Sequence, residues 1–428
     1  MNRIINQLFS QLQFYLNDKE KITLLLCSRD ILYNRFLLRL ENFHHLDLLY
    51  KSFVVKNTTK LIINNIFKKK FLSPYLTHLT FSDDFNGPIK GLIPSTLTHL
   101  VMGHKFNHKI TKSLPESLTH LTLGYKFNRS IKNSLPPNLT DLTFGRSFCQ
   151  VINDYIPPSV INLVFGSCFN QSIKNSFHPP LKKLIFGGCF NYPIKNNIPH
   201  TVEEIYLGGH YDQPIENLFH PPLKKIIFGN SFNHPIKNNI PHTVKEIIFG
   251  DYFNQEIIDS IPYGIRSLSF GNNFNQQIEG LIPSTIEKLV LGNCFAHPIE
   301  KAIPLTLKKL SLGGYFNGQI DFLPKSLTYL SFGYRFNQPI KGLIPPNIRT
   351  LIFGHNFNQP IEDSIPPNIR TLIFGHNFNQ PIEDSIPSGV KKIVFGPCFK
   401  QSISSIPCGI EELVLDSTLI GSIPVGIN

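Results

Sequence analysis

Cysteine is sparse in this chain of 428 residues, seven in all, and no two form a C-x-x-C pair. Cys27, Cys149, Cys168, Cys189, Cys294, Cys398 and Cys408 are odd in number and scattered, and no signal peptide opens the chain. They read as reduced thiols of a cytoplasmic or nuclear protein, not a secreted one. No apolar run approaches the roughly 18 residues that a membrane span requires. A phosphate loop, G-x-G-x-x-G, H-E-x-x-H and G-x-S-x-G are all missing, so the sequence is read as non-catalytic and without a cofactor. Charged residues make up only 16%, with 41 Lys and Arg against 29 Asp and Glu, a net +12. That excess permits an acidic partner without requiring one.

What the chain has instead is repetition. Residues 346–366, PNIRTLIFGHNFNQPIEDSIP, are followed at once by an identical copy, 367–387. With the Phe of the F-N pair as anchor, the unit recurs at Phe85, Phe106, Phe127, Phe148, Phe169, Phe190, Tyr211, Phe232, Phe253, Phe274, Phe295, Phe316, Phe336, Phe357, Phe378 and Phe399. Fourteen of the fifteen spacings are 21 residues and one is 20. A fixed period of this size belongs to a solenoid, where each unit buries its apolar face only by stacking on the next.

The unit reads L-x-x-L-x-F-G-x-x-F-N-x-P-I-x-x-x-I-P. Its opening alternates like a short strand with one buried face, so Leu100 and Met102 are expected inside and His99 and Val101 outside. Gly stands three residues before the anchor in 15 of 16 units, which calls either for a positive φ or for a crowded backbone. Ile stands four residues after the anchor in all 16. The Ile-Pro that follows suits an extended return leg. Asn follows the anchor in 12 of 16, placed to satisfy turn backbone or to pair with its equivalent one unit away. The last unit decays, with Leu419 for the anchor and Asp416 for the Gly. The expected fold is a mostly β, parallel β-solenoid of about 17 coils (21-residue period) over residues 71–428.

Residues 1–70 lack the repeat. Ile4, Ile5, Leu8, Phe9, Leu12, Tyr15 and Leu16 recur at helical spacing. Asn17 followed three residues later by Glu20 reads as a capping box opening a second helix through Ile22, Leu25 and Leu26, and a further helical stretch is expected through Ile31, Leu32, Phe36, Leu37 and Leu40. This small α-helical segment is expected to cap the open end of the first coil.

Outward strand positions one period apart form stripes. Seven or eight residues before the anchors stand Lys182, Lys183, Lys224, Lys225, Lys245, Arg266, Lys288, Lys308, Lys309, Arg349, Arg370, Lys391 and Lys392, interrupted by Glu203, Glu204, Glu246 and Glu287. The stripe reads either as a solvated face that keeps a long sheet soluble or as a basic strip for an acidic partner. Beside it run Ile185, Tyr206, Ile227, Ile248, Val290, Ile352, Ile373 and Val394. Apolar and basic stripes side by side suit a protein partner better than bare phosphate, although β-propensity also favours such residues. His78, His99 and His120 share one stripe, a collinear spacing poor for tetrahedral metal coordination, so no metal is expected. Cys168 and Cys189 hold equivalent places in adjacent units, where a bridge is conceivable in an oxidising compartment.

L-x-x-L-x-F/L resembles a leucine-rich repeat, except that the Asn falls seven residues after the second Leu instead of five. The tract F-N-x-P-I with its trailing I-P, as in Phe357, Asn358, Gln359, Pro360 and Ile361, resembles the FNIP repeat across residues 71–428. That resemblance implies a leucine-rich-repeat-like fold and a protein-binding scaffold that holds its partner on the concave sheet face. Residues 15–32, YLNDKEKITLLLCSRDIL, resemble the second half of an F-box without its opening Leu-Pro. This second resemblance implies a substrate receptor docking on the adaptor of a cullin ubiquitin ligase through Tyr15, Leu16, Leu25 and Leu26. Nucleic-acid binding along the basic strip is the third expectation, disfavoured by the acidic interruptions and the few aromatics there.

Overall fold

The computed structural model describes residues 75–415 and two short upstream strands. The chain forms two compact units, 1–208 and 209–428. In the first, β1 (Leu38–Leu40), β2 (Lys60–Ile63) and β3 (His78–Phe81) open a parallel ladder that ends at β9 (Glu204–Tyr206). In the second, an equivalent parallel ladder runs from β10 (Lys225–Ile227) to β19 (Glu412–Val414). Strands are three or four residues long, and no α-helix occurs among the described residues. From β3 onward each strand is one coil of a leucine-rich-repeat-like parallel β-solenoid.

Register follows the period. Lys225 faces Glu246 and Ile226 faces Ile247, a step of 21, while Lys309 faces Tyr329 and Lys392 faces Glu412 across steps of 20. At the first of these the missing residue falls in the return leg after Ile320, so the strands stay aligned. All sixteen anchors and all sixteen following isoleucines are buried. Within each unit successive anchor rings stack in parallel at most steps, as with Phe253 and Phe274 at 6.1 Å between centroids and 5° between planes. Within a coil the strand Phe packs on the anchor, Phe270 on Phe274 at 3.7 Å. The core is thus a column of aromatic rings beside a column of isoleucines, each covered on both sides by its equivalents.

The recurrent Gly resolves in favour of crowding. None of the Gly at that place has a positive φ. Instead, a Cβ on Gly271 would stand 2.0 Å from the carbonyl oxygen of Gly250, and one on Gly375 1.9 Å from that of Gly354. Positive φ falls nine residues further on, at Asn133, Asn175, Asn238, Asp363 and Asp384 among others, and at Gly91, Gly280 and Gly342. There the chain turns, with Ser364 N–H donating to Ile361 O at 3.0 Å, and the third residue of such a turn favours Gly, Asn or Asp.

The Asn ladder also takes a definite form. Within each unit the Asn Oδ1 accepts the backbone N–H of the equivalent residue one coil on, as in Asn107 N to Asn86 Oδ1 at 3.0 Å and Asn379 N to Asn358 Oδ1 at 2.9 Å. Any residue supplies that N–H, which is why Cys149, Ala296 and Lys400 are tolerated as donors to Asn128, Asn275 and Asn379. Gln380 Nε2 adds a second bond to Asn358 Oδ1 at 3.1 Å. Asn358→Ala removes the single acceptor of both bonds and is expected to cost about 1 kcal/mol in denaturant unfolding, with faster exchange of the Asn379 amide. An unchanged midpoint and amide rate would contradict the ladder's role.

One expectation for the N-terminal segment is corrected. The end of the helical stretch expected through Ile31, Leu32, Phe36, Leu37 and Leu40 is strand, since Leu38–Leu40 is β1 and pairs in parallel with Leu61–Ile63; Ile31, Leu32, Phe36 and Leu37 lie outside the described residues. The apolar residues there serve a sheet, and the sheet therefore extends into residues 1–70. The helices expected over 4–16 and 17–26, the docking residues Tyr15, Leu16, Leu25 and Leu26, and the decayed unit at Asp416 and Leu419 lie outside the described residues. The last described strand does show a terminal character: Glu412 and Val414 are exposed and Leu413 is half-buried.

Candidate binding face

Alternation along each strand sends its middle residue inward and the two flanking residues to the outer face of the sheet, as in Lys225, Ile226 and Ile227. The residue before each strand is outward as well, giving three outer columns per unit. The candidate cations occupy the first two columns, as expected. They are largely neutralised there. Lys182 pairs with Glu203 at 3.2 Å, Lys183 with Glu204 at 3.1 Å and Lys225 with Glu246 at 2.8 Å. Arg266 and Lys308 share Glu287, the latter at 2.8 Å. Lys391 and Lys392 pair with Glu411 and Glu412 at 3.0 and 2.6 Å. Lys245 donates to Gly264 O at 3.2 Å and Arg370 to Gly389 O at 2.6 Å. Lys224 lies on the same exposed column. Lys288, Lys309 and Arg349 make no side-chain hydrogen bond or ion pair among the described residues.

These pairs join residues one period apart, so a Lys whose equivalent in the next unit is Glu was the sequence signal for neutralisation. Such exposed pairs add little stability, but they cancel the field a polyanion would feel. Hydrogen bonds from Lys308 and then Arg266 hold the Glu287 carboxylate below its usual range. A depressed carboxylate favours the folded chain above its ordinary range, and that contribution fades as pH falls through the lowered value. Glu287→Gln is expected to release both cations and to increase retention on a polyanion column at low salt. Unchanged retention would mean that the pairs do not govern the strip.

The third column is apolar over much of its length, with Thr or Ser at Thr80, Thr122, Thr143, Ser269, Ser311 and Ser331. Ile227, Ile248, Ile352 and Ile373 stand on it half-buried, between core and solvent, and Val101 and Val414 are exposed. Sequence reasoning missed the Ser and Thr column two residues before the basic one. Its hydroxyls donate to the preceding coil, Thr243 Oγ1 to Leu223 O at 2.7 Å and Thr285 Oγ1 to Ile265 O at 2.8 Å. Where Asn replaces them, Asn347 and Asn368 line a cavity of about 520 Å³ with Ser326, Thr328, Arg349 and Arg370.

His78, His99 and His120 stack face to face, 4.0 Å between successive ring centroids. Thr77, Thr98 and Thr119 hold the Nδ1 atoms at 2.9, 2.9 and 2.8 Å, and Asp141 lies 3.3 Å from His120 Nε2. Parallel imidazoles at this spacing do not converge on a point, and no group of three metal-ligating side chains occurs among the described residues. Cys168 and Cys189 are exposed free thiols. No helix among the described residues is long and apolar enough to cross a membrane.

A stack of short parallel strands with an open outer face defines a repeat solenoid of the leucine-rich-repeat type. The chain belongs to the FNIP Repeat family, whose pattern matches residues 64–105, 106–147, 127–168, 150–189, 169–210, 211–252, 253–294, 295–335, 336–377 and 378–418. Among curated proteins none matches. The crystal structure of CroV588, a novel circular LRR protein, is similar with a TM-score of 0.74 and 36% identity over 87% of this chain. This chain spans 59% of that one. YopM from Yersinia enterocolitica WA-314 gives a TM-score of 0.40 at 16% identity, covering 81% of this chain and 88% of its own.

Proposed function

We propose that the chain is a non-catalytic scaffold that binds a protein partner on the outer face of its parallel sheet. The observation that carries this reading is the apolar column beside the charged ones. Residues such as Ile352 and Ile373 lie on the solvent side of the sheet and remain partly accessible, flanked by polar side chains. Interface centres combine apolar area with a polar rim in this way. The neutralised cations support a protein partner over a polyanion, since the strip is interrupted where Glu203, Glu246 and Glu287 stand. The test is affinity capture with the full chain and with Ile352→Asp/Ile373→Asp, folding being checked by circular dichroism. Loss of the captured partner with an unchanged spectrum is expected; equal capture by both chains would remove this face from consideration.

The F-box-like segment at residues 15–32 favours a second reading, in which the same face recruits the substrate of a cullin ubiquitin ligase. It predicts co-purification of the ligase adaptor with the full chain and its loss on deleting residues 1–40. Absence of the adaptor from the full-chain sample would set that reading aside.

A further inference from the structure

The basic strip changes character along the second unit. The strand segments 306–312, 326–332, 347–353, 368–374 and 389–395 read TLKKLSL, SLTYLSF, NIRTLIF, NIRTLIF and GVKKIVF, without a single carboxylate. Glu287 bounds this region on one side and pairs with Lys308. Glu411 and Glu412 bound it on the other and pair with Lys391 and Lys392. Between these ends Lys309, Arg349 and Arg370 have no acidic partner among the described residues. The two arginines come from the two identical copies of the repeat, so the duplication has doubled a cation on this face, while the carboxylates it also copied, Glu362, Asp363, Glu383 and Asp384, follow Ile361 and Ile382 outside the strand segments.

Their placement is close. Thr350 pairs with Thr371 and Leu351 with Leu372, so the preceding arginines stand on adjoining coils about 4.8 Å apart. Two guanidinium groups on stems this near repel each other unless an anion lies between them. The cavity they line holds polar groups that complement such an anion. Asn347 and Asn368 each spend one amide hydrogen on a backbone carbonyl, Lys325 O at 2.8 Å and Pro346 O at 2.9 Å. Each keeps a second N–H for a ligand. Three residues along the same strands lie Ile352 and Ile373, the apolar column.

We infer that the element recognised here is an acidic segment of a protein, its carboxylates on Arg349 and Arg370 and its aliphatic side chains on Ile352 and Ile373. The inference rests on the sheet-face reading above and specifies the chemistry of the partner. Planar guanidinium groups take carboxylates in paired hydrogen bonds, and the neighbouring isoleucines give aliphatic side chains a surface that a sugar-phosphate backbone would leave unused. Stacking on bases needs aromatic platforms, and Tyr329 is the sole aromatic on the outward positions of these five segments.

The test titrates the full chain with a fluorescein-labelled peptide of Glu-Glu-Leu repeats and, separately, with an oligothymidylate of equal charge. Arg349→Ala/Arg370→Ala is expected to weaken peptide binding roughly tenfold or more. Lys182→Ala/Lys183→Ala, at positions already paired with Glu203 and Glu204, is expected to leave it within about twofold. Peptide binding that is absent, or unmoved by the arginine substitutions, or moved equally by both pairs, would overturn the inference. Oligothymidylate binding that is tighter and depends on the same arginines would assign the site to nucleic acid and overturn it as well. The captured partner separates the two levels. If Ile352→Asp/Ile373→Asp loses it while Arg349→Ala/Arg370→Ala retains it, the sheet face stands as the binding surface and the acidic anchor falls.

Discussion

Gly271→Ala is expected to destabilise the second unit by about 3 kcal/mol or more, although it adds one methyl group to a turn. The new Cβ would sit 2.0 Å from Gly250 O, 2.3 Å from the Gly250 carbonyl carbon and 2.7 Å from Asp251 Cα. All three are backbone atoms, so no rotamer change relieves the overlap. Neighbouring coils must move apart, which also strains the ladder bonds such as Asn273 N to Asp251 O at 2.8 Å. Gly188→Ala provides the control, because a Cβ there meets nothing within 4 Å and its φ is not positive. Urea unfolding should show a lowered midpoint for the first variant and a shift within about 0.5 kcal/mol for the second. Equal effects would mean that glycine is kept for flexibility and not for the approach of the coils.

Phe232→Ala should cost about 3–5 kcal/mol. The ring is fully buried, lies 4.4 Å from Phe228 and stacks on Phe253 at 6.1 Å. Truncation removes one disc from the aromatic column and leaves a void that the flanking rings cannot fill, because their positions are fixed by their own coils. In a repeat array each coil depends on its neighbours, so the damage should spread outward from the gap before global unfolding. Hydrogen exchange is expected to accelerate first in the strands Lys225–Ile227 and Glu246–Ile248. A loss well below about 1 kcal/mol would show that the column is not what stabilises the stack.

Much of this architecture is legible in the sequence because its anchor period holds, with one residue lost after Ile320, through a long chain. Leu100 and Met102 inside, with His99 and Val101 outside, follow from alternation alone. The role of the recurrent Gly does not, since a turn and a close approach demand the same residue. The positive φ at Asn238 or Asp363 escaped notice because Asn and Asp in a polar return leg resemble ordinary solvent-facing residues. The strand at Leu38–Leu40 was masked by apolar residues that also fit a helical spacing. The state of the basic strip was hidden for a different reason. Along the chain Glu203 and Glu204 read as interruptions of the strip, whereas the stack sets them against Lys182 and Lys183 as ion-pair partners. In a parallel stack the electrostatic neighbour of a residue is 21 positions away, and reading charge at that offset separates the neutral stretches from the uncompensated one around Arg349 and Arg370.

In-register stacking of consecutive coils within the second unit underlies its fold and its outer face. It is tested most directly by the distance between spin labels at Lys308 and Lys391, placed in a chain whose native cysteines have been replaced. Four coils separate these equivalent positions, so in-register stacking predicts a narrow distribution near roughly 19 Å plus the reach of the labels. A broad distribution, or a mean well beyond that value, would contradict the stack.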